Sequence, residues 1–144
     1  MPEAQSLNPR HVFVYGTLRN GGSNDITLLR PAPRYVGMGT VPGVLYKVAV
    51  SQPGNYWYPG LTLGGDEAVS VVGEVYEITP ALEAVLDGIE QVEPGPDSEY
   101  FKRELEIDVE GRVLRCLVYE INPRHVLDRE RIGHGDWILF HSTQ

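Results

Sequence analysis

A strand-rich α+β fold is what this sequence predicts, and three observations carry the prediction. Sixteen glycines and 11 prolines, scattered rather than clustered, cut the 144 residues into many short apolar runs, the pattern of strands joined by tight turns. Those runs are rich in β-branched and aromatic residues, as in His11-Val12-Phe13-Val14-Tyr15, which suit a pleated, buried surface. One segment alone, from Thr79 to Ile89 or Glu90, combines helical spacing with helix-start residues. With 42% apolar residues the chain has material for one core. A single domain over 1–144 is expected, with residues 1–10 as a flexible N-terminal tail.

Taken in order, the first strand runs through His11 to Tyr15 and stops at Gly16, where the chain must turn. Further strands are expected at Tyr35 to Gly39, Gly43 to Val50, Val71 to Ile78, Phe101 to Val109 and Val113 to Ile121. In the fifth of these six, Leu105, Ile107 and Val109 alternate with Glu104, Glu106 and Asp108, so one of its faces is wet. Glu110-Gly111 then reads as a two-residue hairpin turn, since glycine tolerates the positive φ such turns require. Short helices are expected around Thr27 to Leu29 and near Val126 to Arg131. The stretches Ser51 to Gly60 and Gln91 to Ser98 read as loops.

The helix has Thr79 as N-cap and Pro80 at its first position, where the missing N–H costs nothing. Leu82, Val85, Leu86 and Ile89 form its apolar stripe. At 100° per residue Glu90 falls one turn above Leu86, on the edge of that stripe, where a carboxylate can face a pocket. Asp87 projects away from the stripe, and Glu83 shares the flank of Glu90.

Composition excludes several classes of function. Twelve basic against 20 acidic residues give a formal charge of -8, a field that repels nucleic-acid phosphates and anionic lipid. The lone Cys116 cannot form an internal disulfide, which fits a reducing cytoplasm. Residues 1–10 lack an apolar signal region, and no run is long enough to cross a bilayer, so a soluble cytoplasmic protein is expected. His11, His125, His134 and His141 form no dyad with an acid or a cysteine and no metal-ligand spacing. Cys116 reads as a small buried hydrophobe, and Trp137 as core or lid.

A strand ending in Tyr15-Gly16-Thr17-Leu18 offers several backbone N–H groups at one bend, a concave site for an anion such as a carboxylate. Alone, a strand-glycine turn is generic. Its company is not: Val14-Tyr15-Gly16-Thr17-Leu18-Arg19 is followed by Tyr58-Pro59-Gly60, Gly73-Glu74-Val75-Tyr76, Leu86-Asp87-Gly88-Ile89-Glu90 and a closing Gly135-Asp136-Trp137. In order and spacing the chain resembles the γ-glutamylcyclotransferase-like (AIG2-like) family, which includes γ-glutamylamine cyclotransferases. The resemblance implies a small mixed β-barrel with flanking short helices and a pocket at its mouth. It implies that the amides of the Tyr15, Gly16, Thr17 and Leu18 loop hold the substrate's α-carboxylate, that Arg19 and Tyr58 are further substrate-binding residues, and that Glu90 is the general base. The reaction implied is an internal cyclisation of a γ-glutamyl amine or γ-glutamyl amino acid to 5-oxoproline, with no metal or organic cofactor. Its partner is a small γ-glutamyl substrate, on a monomer or weak homo-oligomer.

Two departures from the family pattern bear on the site. Gln91 follows Glu90 where glycine is usual. The family's Tyr-x-Arg signature can be aligned through Tyr100 or through Arg103 but not both; Tyr100 is carried as a substrate-binding residue, while Arg103 reads equally as a strand residue paired with a nearby acid. Tyr58-Pro59-Gly60, with Tyr56 and Trp57, reads either as the acceptor side of the pocket or as packing for a long loop. Tyr119 is a candidate donor to the developing oxyanion. The leaving group is expected to contact the loops Ser51 to Gly60 and Gln91 to Ser98. Three functions follow: the cyclotransferase, a non-catalytic carboxylate-binding module of the same fold, and a protein-interaction domain. The last requires an exposed apolar patch, for which the sequence offers no clear candidate.

Overall fold

The structure, a computed structural model, describes residues 10–22, 24–50, 56–65, 68–90, 92 and 94–137, the side chains at 49–50 and 56–57 excepted. The expected tail before residue 10, and Gln91 and His141, lie outside the described residues. Among these residues seven strands and one α-helix follow in the order β1 (Arg10–Val14), β2 (Arg34–Val50), β3 (Tyr56–Leu63), β4 (Val69–Ile78), α1 (Pro80–Ile89), β5 (Tyr100–Val109), β6 (Arg112–Ile121) and β7 (Glu130–Ile132). Five of the strands close into a ring in the order β2-β4-β1-β6-β5, sealed where Gly39 of β2 meets Val109 of β5. β1 runs parallel to β6 and antiparallel to β4. This is a closed, mixed five-stranded barrel carrying a helix, an α+β fold, with β3 and β7 added to the long strand β2.

Period-two alternation sorts the side chains. Phe13 of β1 packs with Leu45, Val75, Ile107, Val109, Cys116 and Val118, drawn from all the other barrel strands, to fill the interior. Val12 and Val14 point the opposite way and pack against Leu82 and Leu86 of α1. Cys116 is fully buried, and burial pushes its thiol up to about 11. Trp137 belongs to the interior cluster. A side chain at Gly39 would place its first carbon 3.0 Å from Ile107, so glycine there lets the seam close.

Several expected elements need correction. β2 is one strand of 17 residues, not two. Its glycines and Pro42 mark a register shift between Tyr35 and Gly37 and close approaches to neighbouring strands rather than breaks. Tyr56 to Gly60 is not loop but most of β3, whose backbone pairs with Val50 to Tyr46. Among the described strands β3 forms a ladder with β2 alone, and such an edge strand tolerates Pro59. The region Val126 to Arg131 is not helical: a 3-10 turn occupies Pro123–His125, and β7 follows. The earlier short helix is a 3-10 turn, Ile26–Leu28, capped by Asp25. Glu110 and Gly111 take φ of 51° and 93°, forming the expected left-handed hairpin turn.

α1 is capped as expected, with the Thr79 hydroxyl accepting from the Leu82 amide at 3.2 Å. Its buried face, however, is rotated about the helix axis from the expected stripe. Leu82 and Leu86 are fully buried but Val85 is 37% exposed. The acidic flank turns inward instead, because basic and phenolic partners wait there: Lys102 pairs with both Glu83 and Asp87, and the Tyr119 hydroxyl donates to Asp87 at 2.7 Å. Asp87 therefore faces the barrel rather than pointing away from it. Among the described residues no helix is long and apolar enough to cross a membrane.

Candidate active site

The register of β1, β5 and β6 brings Tyr15, Tyr100 and Tyr119 to one end of the barrel, beside the end of α1. All three are buried, and each hydroxyl has its proton committed. Tyr15 donates to the Tyr119 carbonyl at 2.7 Å, Tyr100 to the Pro59 carbonyl at 2.9 Å, and Tyr119 to Asp87. Burial, first, pushes all three phenols well above their ordinary range, and the negative charge of Glu90 adds to the rise in each. A hydroxyl carries one proton, so Tyr119 as placed gives its own to Asp87.

Glu90 closes α1. Its backbone N–H donates to the Leu86 carbonyl at 2.9 Å, and the Val92 amide wraps back to Asp87 at 3.0 Å, which fixes where the Glu90 side chain starts. The residue is half-buried, and no side chain or amide among the described residues hydrogen-bonds to its carboxylate. Desolvation, first, and the nearby charge of Glu99, second, raise its pKa to about 8. An uncompensated carboxylate at a dense protein wall prefers to hold its proton, and this one titrates near neutrality.

The turn after β1 is pinned from two sides. Gly16 lies against β3 so closely that a side chain there would bring its first carbon to 2.3 Å from Pro59. Glycine is required by contact here, not by φ. At the other end Arg19 is buried, its Nε donating to Glu74 at 3.0 Å and its terminal nitrogen to Asp136 at 3.0 Å. Glu74 also accepts from the Asn20 amide and from the Tyr76 hydroxyl. The turn's own hydrogen bonds occupy the amides of Arg19, Gly22 and Asn24. Those of Gly16, Thr17 and Leu18 meet no acceptor among the described residues. Leu18 is buried in the core, and the Thr17 hydroxyl accepts from Asn24 at 3.1 Å.

Of the residues singled out from sequence, the structure gathers Glu90, Tyr15, Tyr100 and Tyr119 into one charge-coupled group. Gly16 touches it through Pro59, whose carbonyl holds Tyr100. Tyr58 joins through a short hydrogen bond from its hydroxyl to Glu99. Arg19 stands apart, its guanidinium spent on Glu74 and Asp136. Arg103 lies on the surface, paired with Glu120 at 2.9 Å and stacked over Phe101. Sequence reasoning missed Glu99. It precedes Tyr100 at the end of the acidic Pro-Gly stretch that leads from Glu90 into β5. A cavity of about 390 Å³ opens beside it, lined by Val48, Tyr58, Glu99, Arg124, His125, Leu127, Asp128 and Arg129. Among the described residues no three His, Cys, Asp or Glu side chains are grouped to hold a metal ion.

A small closed mixed barrel with a titratable glutamate at one end is a recognisable class. Residues 12–139 match the model of the family described as gamma-glutamyl cyclotransferase, AIG2-like, and the chain belongs to that family. The "putative gamma-glutamylcyclotransferase" of Halalkalibacterium halodurans is 32% identical over 81 residues, 56% of this chain and 70% of that protein. The crystal structure of an AIG2-like protein from Mus musculus superposes with a TM-score of 0.67 at 24% identity, covering 90% of this chain and 89% of the other. A uropathogenic E. coli-specific protein superposes at 0.69 with 14% identity, covering 96% and 99%. At these identities the two structures speak to the fold alone.

Proposed function

We propose that this protein is a cofactor-free γ-glutamyl cyclotransferase. It cyclises a γ-glutamyl amine or γ-glutamyl amino acid to 5-oxoproline and releases the amine, with Glu90 as general acid and base. Family membership supports the reaction type. The observation that carries the assignment of Glu90 is its state: half-buried, without a hydrogen-bond partner among the described residues, and shifted to about 8 beside the Tyr15 turn.

Each step asks for such a group. The substrate's α-amine attacks only when unprotonated, so a base must take its proton, and efficiency is greatest when the base's pKa lies near the working pH. The amine nitrogen bonds to the γ-carbonyl carbon, the proton resting on Glu90. As the tetrahedral intermediate collapses, the bond to the departing nitrogen breaks and Glu90 returns the proton to it. Nucleophile and electrophile share one molecule, so the site needs only to fold the substrate into attack geometry. In this reading the amides of Gly16, Thr17 and Leu18 hold the substrate's α-carboxylate, and Arg19 keeps the turn in place through Glu74. The hydroxyls of Tyr15, Tyr100 and Tyr119 shape the wall.

The test is 5-oxoproline release from γ-glutamylamines and γ-glutamyl dipeptides by the wild-type protein and by Glu90→Gln. Turnover in the first and its loss in a folded second are expected. Binding of glutamyl ligands without turnover of any substrate would replace the enzyme with a carboxylate-binding module.

A further inference from the structure

Gly135-Asp136-Trp137 has no task in the proposed reaction, yet each of its residues has a separate hold on the barrel. The Gly135 carbonyl accepts from the Val72 amide of β4 at 2.7 Å. A side chain at Gly135 would bring its first carbon to 1.9 Å from the Ser70 carbonyl oxygen, so glycine is what lets the segment lie this close to β4. Trp137, 3% exposed, enters the interior cluster that also contains Phe13 and Tyr15. Asp136, between them, accepts from the terminal nitrogen of Arg19 at 3.0 Å.

That contact falls on the residue directly after Gly16, Thr17 and Leu18, whose amides meet no acceptor among the described residues. The Arg19 guanidinium is planar, and the residue is only 7% exposed. Glu74 accepts from its Nε at 3.0 Å, but one hydrogen bond leaves the plane free to swivel. Asp136 supplies the second point, and two points on a rigid fork fix its orientation. Charge alone argues against this arrangement beside an anion site. Two carboxylates around one guanidinium leave a net negative charge next to amides that are to hold a carboxylate, so what Asp136 contributes there is placement.

We propose that Asp136 is a positioning residue: through Arg19 it sets the amides of Gly16, Thr17 and Leu18 at the angle that receives the substrate's α-carboxylate. It thereby governs binding and not the proton transfers at Glu90. The proposal rests on the cyclotransferase reading, in which this turn holds that carboxylate. Hydrogen bonds weaken steeply when bent, and three that converge on one anion are lost together when the turn carrying them tilts. Asp136→Asn keeps the shape of the side chain and removes the charge-assisted part of its hold.

The experiment compares wild type with Asp136→Asn in 5-oxoproline release from γ-glutamylethylamide and γ-glutamyl-L-alanine. It also compares their binding of 5-oxoproline and of 2-pyrrolidinone, the same ring without the carboxylate, by ligand-observed NMR. KM is expected to rise about tenfold, with kcat and its pH profile retained. Affinity for 5-oxoproline should fall by the same factor and that for 2-pyrrolidinone should not change, a split that a general loss of stability would not produce. Arg19→Lys is the second variant: it keeps the charge on a compact ammonium without the fork that spans both acids, and it should give the same split. An unchanged or lowered KM, a loss confined to kcat, or an equal loss of both ligands would overturn the role of Asp136 while leaving the cyclotransferase standing. If the wild type released 5-oxoproline from no γ-glutamyl compound, the cyclotransferase reading would fall and the two affinities alone would decide the role of Asp136.

Discussion

Two glutamates flank the turn after β1, and they are treated in opposite ways. Glu74, buried in β4, receives Arg19, the Asn20 amide and the Tyr76 hydroxyl. Glu90, at the end of α1, receives nothing among the described residues and is pushed up to about 8. A buried carboxylate surrounded by donors is a fastening: it locks the turn to the barrel wall. One denied donors keeps its basicity for something else. The contrast teaches that residue type alone does not set a carboxylate's basicity beside one turn; the count of donors around it does.

Substitutions should separate the two. The largest effect expected is on chemistry at Glu90: Glu90→Gln should cost about 10³-fold or more in kcat while the thermal transition is retained, measured by 5-oxoproline release and by calorimetry. At Glu74 the loss should be of stability. Glu74→Gln removes the charge that balances a buried guanidinium and is expected to cost about 3 kcal/mol in denaturant unfolding. If Glu74→Gln proved neutral and Glu90→Gln unfolded the protein, the comparison would be inverted.

The pH dependence follows from the raised pKa. The native state holds a proton on Glu90 that the unfolded chain releases near 4.5, so stability falls as pH rises from there to about 8. Glu90→Gln cannot lose that proton. Its advantage over wild type should be nil at about pH 4 and grow to about 2 kcal/mol at pH 8, a figure discounted for the side chain's remaining contact with solvent. The same ionisation should appear as an acid limb in kcat/KM, climbing about tenfold per pH unit below 8. The smallest effect concerns Glu99, the second cause of the shift. Glu99→Gln should move that limb to lower pH by a fraction of a unit, and a limb that did not move would leave burial alone responsible.

Legibility in the sequence followed the range of the forces involved. Thr79-Pro80, the Glu110-Gly111 turn and the alternation of Leu105, Ile107 and Val109 are decided by neighbours, and each was readable. β3 was not, because Pro59 and Gly60 are turn residues by propensity and become strand residues only beside β2. The inward turn of α1's acidic flank depended on Lys102 and Tyr119, far away in sequence. Within the site, Glu90 was placed at a pocket edge by helical geometry and by its motif. Glu99 had no local signal, since it matters only through its place beside Tyr58 and Glu90. Arg19, part of the most specific motif, reads in the structure as a fastening to Glu74 and Asp136.

The parallel pairing of β1 with β6 has a temporal consequence. Residues 10–14 lie between β4 and β6 in the ring, so the first strand made cannot acquire its second neighbour until residues 116–117 exist. Contacts so distant in sequence close large loops and slow folding. Glu90 and the Tyr15 turn can come together through β4 early, but the wall carrying Tyr100 and Tyr119 arrives last. A nascent chain thus holds Glu90 in water, with the basicity of any exposed carboxylate, until the barrel has closed around it.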